Sequence, residues 1–374
     1  MLRQRDYANA VRRWEGVGPY YAMFPTWFAD DVISRYTEIG DTVLDPFAGR
    51  GTAIFSAACQ GRNAFGVEIN PVGWCYAKAK LTPGSFESVS ERLRAVSLAA
   101  PRQRHAASEL PEFFHFCFSQ SVREFLLAAR ELLDWRQNDV DRTVMALLLV
   151  SLHGKSGSAL SNQMRQTKAM APDYAVRWWK ERGMEPPDIN PLEFMTRRVS
   201  WRYARGIPAT AESEVLLGDA EAQVSAISGY LQERKRGAAL LLTSPPYFGL
   251  TNYHYDQWLR LWLLGGPPNA YRVPGSHELQ GKFENARRYC ELLRRVFTGI
   301  APAVASDGIV YVRTGRGEPT LTATRDALRK AFPSHALEEI ARPYTRPTQT
   351  SLFGDTGTKV GEVDLIMTPV LTPS

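Results

Sequence analysis

Residues 42–70, TVLDPFAGRGTAIFSAACQGRNAFGVEIN, decide the fold of this chain. The segment starts as a short apolar strand, turns at Gly-Arg-Gly, continues as an apolar helix and ends with a second apolar strand. A strand, a turn, a helix and a second strand in this order form the unit of a parallel sheet. The segment therefore predicts an α/β fold.

The chain around this segment divides into three parts. Residues 1–80 hold the α/β unit, preceded by the helical pattern of FPTWFADDVISRYTEIG. Residues 81–213 have almost no strand signal and are dominated by amphipathic helices. In residues 214–374 the α/β pattern returns, and VGEVDLIMTPV is expected to be the last strand of an edge hairpin. We expect one α/β domain interrupted by a mainly helical insertion.

The composition narrows the class of protein. The chain has 374 residues, of which 44% are hydrophobic and 22% are charged, and no apolar run is long enough for a membrane span. Its four cysteines are scattered, which predicts neither a disulfide framework nor a metal site. The first residues lack the apolar stretch of a signal peptide, so we expect a cytoplasmic protein. The net charge of +6 weakly favours a polyanionic partner.

The Gly-Arg-Gly turn has the features of a ligand-binding loop. Gly49 and Gly51 allow the backbone to come close to a ligand, and the helix that follows offers free N–H groups. A dinucleotide fingerprint would need a third glycine, but Ile54 stands at that position. The turn therefore disfavours NAD as the ligand.

Two acidic residues end the strands on either side of this helix. Glu68, at the end of the second strand, suits two ribose hydroxyls, and Asp45, at the end of the first, suits a cationic amino group. A ligand with a ribose, an amino acid portion and no pyrophosphate is S-adenosylmethionine. The alternative is that both acids only cap helices.

A second motif follows the apolar strand GAALLLT. The strand runs directly into Ser244, Pro245, Pro246 and Tyr247, and the two prolines end it. One interpretation is an ordinary β-turn. The other is a rigid ledge that holds a flat group between an aromatic ring and hydrogen-bond acceptors.

DPFAGRGT together with TSPPY resembles the S-adenosylmethionine-dependent DNA amino-methyltransferases, which methylate cytosine at N4 or adenine at N6. The serine form of the tetrapeptide is more like the cytosine-N4 group. The resemblance covers about residues 1–80 and 214–374, with YYAMFPTWFADDVI and LLGDA as further similar segments. It implies a Rossmann-like methyltransferase sheet, mostly parallel with an antiparallel edge hairpin.

The resemblance also implies roles for particular residues. The Ser244 hydroxyl and the Pro245 carbonyl would accept the two hydrogens of the target amine, Pro246 would stiffen the ledge, and Tyr247 would stack on a flipped base. No Pro-Cys pair is present, which argues against methylation of a ring carbon. The residues expected to bind the cofactor are Phe24, Pro25, Asp45, Phe47, Ala48, Gly49, Gly51, Thr52, Glu68, Asn70, Asp219, Ala220 and Thr243.

The segment 151–205 is rich in basic and aromatic residues and lies in the part expected to recognise the DNA target. Arginine and lysine neutralise phosphates, and arginine and glutamine read base edges. The residues expected to face DNA are Gln163, Arg165, Gln166, Lys168, Arg177, Lys180, Arg197, Arg198, Arg202 and Arg205. A solvated helical face with core tryptophans is the alternative. The loop at 342–354, RPYTRPTQTSLFG, is expected to close over the flipped base.

The sequence thus favours a site-specific DNA methyltransferase that acts on cytosine N4 in double-stranded DNA, with or without a cognate restriction endonuclease. We expect no membrane association. Three alternatives stay open: an adenine-N6 enzyme, an RNA amino-methyltransferase, and a DNA-binding module without catalysis. The intact glycines, acids and tetrapeptide favour an enzyme over the last of these.

Overall fold

The computed structural model describes residues 9–18, 25–233, 237–249, 253–270, 285–342 and 361–370. The strands are β1 (Thr42–Asp45), β2 (Asn63–Glu68), β3 (Ser213–Leu217), β4 (Ala238–Thr243), β5 (Val304–Gly315), β6 (His335–Arg342) and β7 (Glu362–Pro369). The helices before and after the first two strands are α1 (Ala10–Glu15), α2 (Thr26–Tyr36), α3 (Thr52–Cys59) and α4 (Pro71–Leu81).

The helical part of the chain follows α4. Its helices are α5 (Phe86–Ala99), α6 (Arg104–Ser108), α7 (Glu112–Cys117), α8 (Gln120–Leu132), α9 (Asp139–Ser151), α10 (Pro172–Lys180) and α11 (Pro191–Tyr203). The remaining helices are α12 (Ala220–Glu233), α13 (Tyr253–Asp256), α14 (Trp258–Leu263), α15 (Ala286–Ile300) and α16 (Thr320–Ala331). Every helix in the described ranges is too short or too polar to cross a lipid bilayer.

The seven strands form one sheet in the order β3-β2-β1-β4-β5-β7-β6. The first five are parallel, and β7 runs antiparallel to both β5 and β6. The predicted α/β sheet, mostly parallel with an antiparallel edge hairpin, is therefore confirmed. VGEVDLIMTPV forms β7, which lies inside the sheet, and β6 is the edge strand.

Both faces of the sheet are covered. In β4, Leu240 and Leu242 point into one hydrophobic cluster and Leu241 into the other, as the two-residue period of a strand requires. The first cluster includes α2, α3 and α4, and the second includes α12, α15 and α16. Burial on both faces explains why the strand GAALLLT is apolar throughout.

The helical part packs on the first of these clusters. Phe114 of α7 contacts Trp262 of α14, with ring centroids 4.5 Å apart, and Phe113 lies 4.9 Å from Trp258. Between β2 and β3 the described chain holds no strand beyond a single bridge, Gly154 with Gln163. The insertion is mainly helical, as predicted, and it shares its core with the sheet.

The order of the strands changes direction between β1 and β4. From β1 it moves to β2 on one side, and β4 pairs with β1 on the other side. The order of the strands therefore reverses between β1 and β4. Open α/β sheets bind ligands at such a reversal, outside the carboxyl ends of the strands.

Candidate active site

The glycine turn connects β1 to α3 at this reversal. Gly49 and Gly51 have φ angles of 56° and 71°, in the left-handed region that favours glycine. A Cβ added to Gly51 would lie 2.7 Å from the Cβ of Ala77 in α4. Both the backbone conformation and the close packing on α4 therefore require glycine at position 51.

Glu68 holds the turn in place. Its Oε2 accepts a hydrogen bond from the Gly49 N–H at 2.7 Å, and its Oε1 accepts one from the Asn70 N–H at 2.7 Å. The residue is only 7% exposed. Glu68 thus fixes the glycine turn from the end of β2, and its expected contact with ribose hydroxyls stays a prediction.

Asp45 joins the glycine turn to the strand that carries the tetrapeptide. Its Oδ1 accepts hydrogen bonds from the Thr243 hydroxyl at 2.6 Å and from the Phe47 N–H at 3.1 Å. Asp45 is 2% exposed, and this burial raises the pKa of its carboxyl to about 7. Asp45 therefore links the ends of β1 and β4 by a hydrogen bond. Burial of its carboxylate makes an unfavourable contribution to the free energy of folding.

A third acid follows the next strand of the sheet. The Asp219 Oδ1 accepts the Glu221 N–H at 2.8 Å, and the neighbouring Gly218 N–H donates to the Glu68 carbonyl at 3.0 Å. Asp45, Glu68 and Asp219 thus stand at the carboxyl ends of β1, β2 and β3, which are adjacent.

The other residues expected to bind cofactor have local structural contacts. Asn70 caps α4, since its Oδ1 accepts the Val72 N–H at 2.9 Å. The Thr52 hydroxyl accepts a bond from Arg50 Nε at 3.3 Å, and Ala220 is buried at the start of α12. Ala48 is also buried, and Phe47 packs against the second cluster. Pro25 precedes α2, and Phe24 lies outside the described residues.

The tetrapeptide Ser244–Tyr247 extends from the end of β4. The Pro246 carbonyl accepts a hydrogen bond from the Tyr289 hydroxyl at 2.9 Å, and the Tyr247 hydroxyl donates to Glu362 Oε1 at 3.1 Å. A Cβ at Gly315 would lie 3.3 Å from the Tyr247 ring. Contacts from α15, β5 and β7 therefore fix the ledge.

The two expected acceptors lie at the start of this ledge. Ser244 is half-buried and Pro245 is buried. Within the described residues, no hydrogen bond engages the Ser244 hydroxyl or the Pro245 carbonyl. Neither oxygen is therefore engaged by a donor from the described part of the chain.

Glu362, Tyr289 and Gly315 were missed by the sequence analysis. Each lies at least 40 positions from the tetrapeptide in the chain, and the contacts arise only when β5 and β7 pair beside β4. No local sequence pattern indicates that these three residues contact the tetrapeptide. The Thr243 hydroxyl donates to Asp45, and the expected contact of Thr243 with the cofactor stays a prediction.

The residues expected to face DNA differ in exposure. Eight are exposed on the helical part: Arg165, Gln166, Lys168, Arg177, Lys180, Arg197, Arg198 and Arg205. Gln163 is half-buried, and its Oε1 accepts the Ser156 N–H at 2.9 Å. Arg202 is only 7% exposed, so it lies in the interior rather than on the expected DNA surface. Trp179 is fully buried, as the alternative of core tryptophans expects.

Several of the exposed cations have partners on the protein. Lys168 lies 2.6 Å from Asp256, Lys180 lies 2.6 Å from Glu112, and Arg197 lies 3.2 Å from Glu193. Of the loop 342–354, only Arg342 is described, and it forms an ion pair with Asp364 at 2.8 Å. Residues 343–354 lie outside the described residues, so their expected closure over a base stays a prediction.

The profile of the DNA methylase family N6_N4_Mtase matches residues 3–74, which include the glycine turn and Glu68. The match covers about a fifth of the chain. It agrees with the resemblance to the S-adenosylmethionine-dependent DNA amino-methyltransferases and with the cofactor inferred from the sequence. The match does not separate cytosine-N4 from adenine-N6 members, and it ends before the tetrapeptide.

Two curated relatives point the same way over short stretches. The Type II methyltransferase M.MthZI of Methanothermobacter thermautotrophicus is 47% identical over 49 residues, which are 13% of this chain and 14% of that protein. M.MjaII of Methanocaldococcus jannaschii is 32% identical over 93 residues, 25% of this chain and 17% of that protein. The chain therefore matches less than a fifth of each relative's length.

Solved structures align over most of the chain but at low similarity. The rRNA methyltransferase AviRa of Streptomyces viridochromogenes has a TM-score of 0.33 and 12% identity, over 94% of this chain and 90% of that one. TrmN of Thermus thermophilus has a TM-score of 0.34 and 9% identity, over 96% of this chain and 52% of that one.

Proposed function

We propose that this protein is a site-specific DNA methyltransferase that methylates the exocyclic N4 amino group of a cytosine flipped out of the double helix. The observation that carries the proposal is the hydrogen bond between Thr243 and Asp45. It joins the strand that ends in the tetrapeptide to the strand that ends in the glycine turn. The proposed cofactor site and the proposed amine-binding ledge would therefore meet at the reversal of the sheet.

The residues of the turn fit S-adenosylmethionine, which supplies a methyl group on a positively charged sulfur when it is bound. We assign Asp45 to the ammonium group of the cofactor, because a nearby cation compensates for the burial of that carboxylate. Glu68 would accept from the ribose hydroxyls and Asp219 from the adenine. Three acids suit a cationic ligand, whereas a pyrophosphate would be repelled by them.

The ledge would prepare the target amine for attack. The lone pair of an exocyclic amine is delocalised into the ring, which makes the nitrogen a poor nucleophile. Hydrogen bonds from its two hydrogens to the Ser244 hydroxyl and the Pro245 carbonyl would favour a tetrahedral nitrogen with an available lone pair. The prolines have no N–H groups that would compete for these acceptors.

Tyr247 would hold the base during the reaction. Its ring is fixed by the hydroxyl contact with Glu362 and by the close approach of Gly315. An aromatic face of this kind stacks on a base whatever its identity, and positioning supplies much of the rate of such a transfer. We therefore assign Tyr247 to base stacking, with Glu362 and Gly315 positioning the ring.

The exposed cations of the helical part would bind the DNA backbone. Lys180, Arg197 and Arg205 are exposed on this surface, and cations there attract phosphates in a salt-dependent way. The protein would act at one short sequence, with or without a cognate endonuclease, and its relatives are named Type II methyltransferases. The target-recognition role of residues 81–213, the division at residues 80 and 213, and a cytoplasmic location stay predictions.

Expression in a host without this modification tests the proposal. The DNA is sequenced by a method that separates N4-methylcytosine from N6-methyladenine. We expect N4-methylcytosine in one short sequence, and no modification with the Pro245→Ala/Tyr247→Ala variant. A matched control is Pro302→Ala, which changes a proline in the turn after α15, away from the ledge.

The possible results distinguish the target base, the nucleic-acid substrate and the cofactor site. N6-methyladenine would retain the site but refute the preference inferred from Ser244. Unmodified DNA with a protein that still binds S-adenosylmethionine would refute DNA as the substrate and favour RNA. If the folded wild-type protein does not bind S-adenosylmethionine, the assignment of Asp45, Glu68 and Asp219 to the cofactor is refuted.

A further inference from the structure

A separate cluster of basic side chains surrounds a cavity in the first half of the helical part. The cavity has a volume of about 550 Å³ and lies among the 3-10 turn at Ala100–Gln103, α6, α7 and the start of α8. Three arginines and two histidines line it: Arg102, Arg104, Arg123, His105 and His115. None of these belongs to the candidate active site or to the segment 151–205.

Arg123 is the buried member of this cluster. It is 9% exposed, and its Nη1 donates to the Phe118 carbonyl at 2.6 Å. Its Nε is buried, and within the described residues it has no hydrogen-bond partner. Burial lowers the pKa of this guanidinium, although the charge of Glu124 opposes the effect. A buried cation without a paired carboxylate is unfavourable unless an anion binds it.

The carboxylates around the cavity do not balance its arginines. Glu124 accepts from Arg104 Nε at 3.3 Å and from Gln120 Nε2 at 2.9 Å, so its Oε1 is already engaged. Glu109 lies 3.4 Å from His105. Within the described residues, the carboxylates that pair with cationic side chains lining the cavity are Glu124 and Glu109, against three guanidinium groups, so guanidinium N–H donors are in excess.

We propose that this cavity binds a phosphate group. A guanidinium donates two parallel hydrogen bonds to phosphate oxygens, and three guanidiniums offer more donors than the two oxygens of a carboxylate accept. The volume exceeds that of a single phosphate, so the group would belong to a larger molecule. Such a phosphate group has two possible sources. One is the backbone of a DNA substrate, which rests on the proposed function, and the other is a free nucleotide.

Titration of the full chain with inorganic phosphate, at constant ionic strength in chloride, tests the site directly. The variant Arg102→Gln/Arg104→Gln removes two exposed cations from the cavity, and Glu124 keeps its hydrogen bond from Gln120. Its matched control is Arg329→Gln/Lys330→Gln, which removes two exposed cations from α16. We expect phosphate binding to weaken about tenfold in the cavity variant and to stay unchanged in the control.

DNA binding across a range of salt concentrations forms the second arm. If the phosphate belongs to DNA, the slope of log K against log salt becomes shallower by about 2 in the cavity variant only. If phosphate binding weakens and the slope for DNA binding stays the same, the ligand is a free nucleotide. Either result supports the site.

Equal behaviour of the cavity and control variants in both arms would overturn the proposal. Arg123→Gln tests the contribution of the buried guanidinium to phosphate binding. If this variant does not fold, Arg102→Gln/Arg104→Gln still tests the site. Both arms measure binding without methyl transfer. The phosphate arm therefore gives a result even where the proposed methylation of DNA fails.

Discussion

The glycine turn and the helical part hold their charged side chains in opposite ways. Asp45 and Glu68 are 2% and 7% exposed, and backbone N–H groups fix both. On the helical part, Lys180 pairs with Glu112 and Arg197 with Glu193, and all four side chains are more than half exposed. Buried acids disfavour folding unless a ligand compensates, whereas exposed pairs contribute little. This difference fits the proposal that the first region binds one particular ligand and that the second contacts DNA through exposed side chains.

Asp45→Asn is expected to have the largest effect. Asparagine keeps the shape and the acceptor for Thr243 but has no charge for the ammonium group of the cofactor. Binding of S-adenosylmethionine should weaken about 100-fold, as measured by calorimetry. Unchanged affinity in the folded variant would contradict the role of Asp45 and remove the contrast between the two regions.

The same carboxyl predicts a pH dependence of stability. Its pKa is raised from 3.8 to about 7, so between these values the folded chain keeps a proton that the unfolded chain loses. The contribution of Asp45 to the free energy of unfolding without cofactor therefore falls as pH rises from about 4 to about 7, and is constant above. Comparison of wild type with Asp45→Asn in urea should show this decline only in the wild type. A contribution that grows over this window would be the opposite of what burial requires.

Gly51→Ala is expected to have the second largest effect, and this effect is on the stability of the fold. The left-handed conformation and the contact of 2.7 Å with Ala77 predict a loss of about 3 kcal/mol in the free energy of unfolding. Gly183, with a φ of 56° and nothing within 4 Å of an added Cβ, provides the control. Gly183→Ala should lose only about 1 kcal/mol. Equal losses in urea denaturation would mean that packing of the turn on α4 has no special importance.

Glu362→Ala should have a smaller effect and should be confined to catalysis. Without the acceptor for its hydroxyl, the Tyr247 ring is less fixed, and single-turnover methyl transfer should slow about tenfold. Glu362→Gln keeps an acceptor oxygen and should retain most of the rate. Cofactor affinity should be the same in both variants. A rate that is equally low with alanine and glutamine would exclude positioning of Tyr247 by this hydrogen bond.

Lys180→Gln/Arg197→Gln should have the smallest effect. Removal of two exposed cations should weaken DNA binding only a few-fold at moderate salt and equally for all DNA sequences. The free energy of unfolding should change by less than about 1 kcal/mol, because exposed ion pairs contribute little. A change in sequence preference would show instead that these side chains read bases, and the contrast with the glycine turn would fail.

The sequence predicts the turn better than the ledge because the turn is local. Gly49, Gly51 and the acids at the ends of β1 and β2 lie within 30 residues, and each has a pattern of its own. Glu362 contacts Tyr247 across 115 positions of the chain, a pairing that only the assembled sheet creates. The clustering of Arg102, Arg104 and Arg123 around one cavity likewise depends on how short helices pack.

The burial of Arg202 follows from helical spacing rather than from composition. Its place in a basic segment predicts a residue that faces DNA. In α11 it follows Val199 by three positions and Met195 by seven, both of which are buried. Helical spacing places all three on the same face. A count of periodicity within the segment would have assigned Arg202 to the interior.

We propose that the ledge at Ser244–Tyr247 directs methyl transfer to the exocyclic amine of cytosine in DNA. Incubation of the purified protein with double-stranded DNA and methyl-labelled S-adenosylmethionine, followed by mass spectrometry of the nucleosides, tests this role. We expect label in N4-methylcytosine with the wild type and none with Pro245→Ala/Tyr247→Ala. Label at the ring carbon of cytosine, or label that persists in the double variant, would refute the role of the ledge.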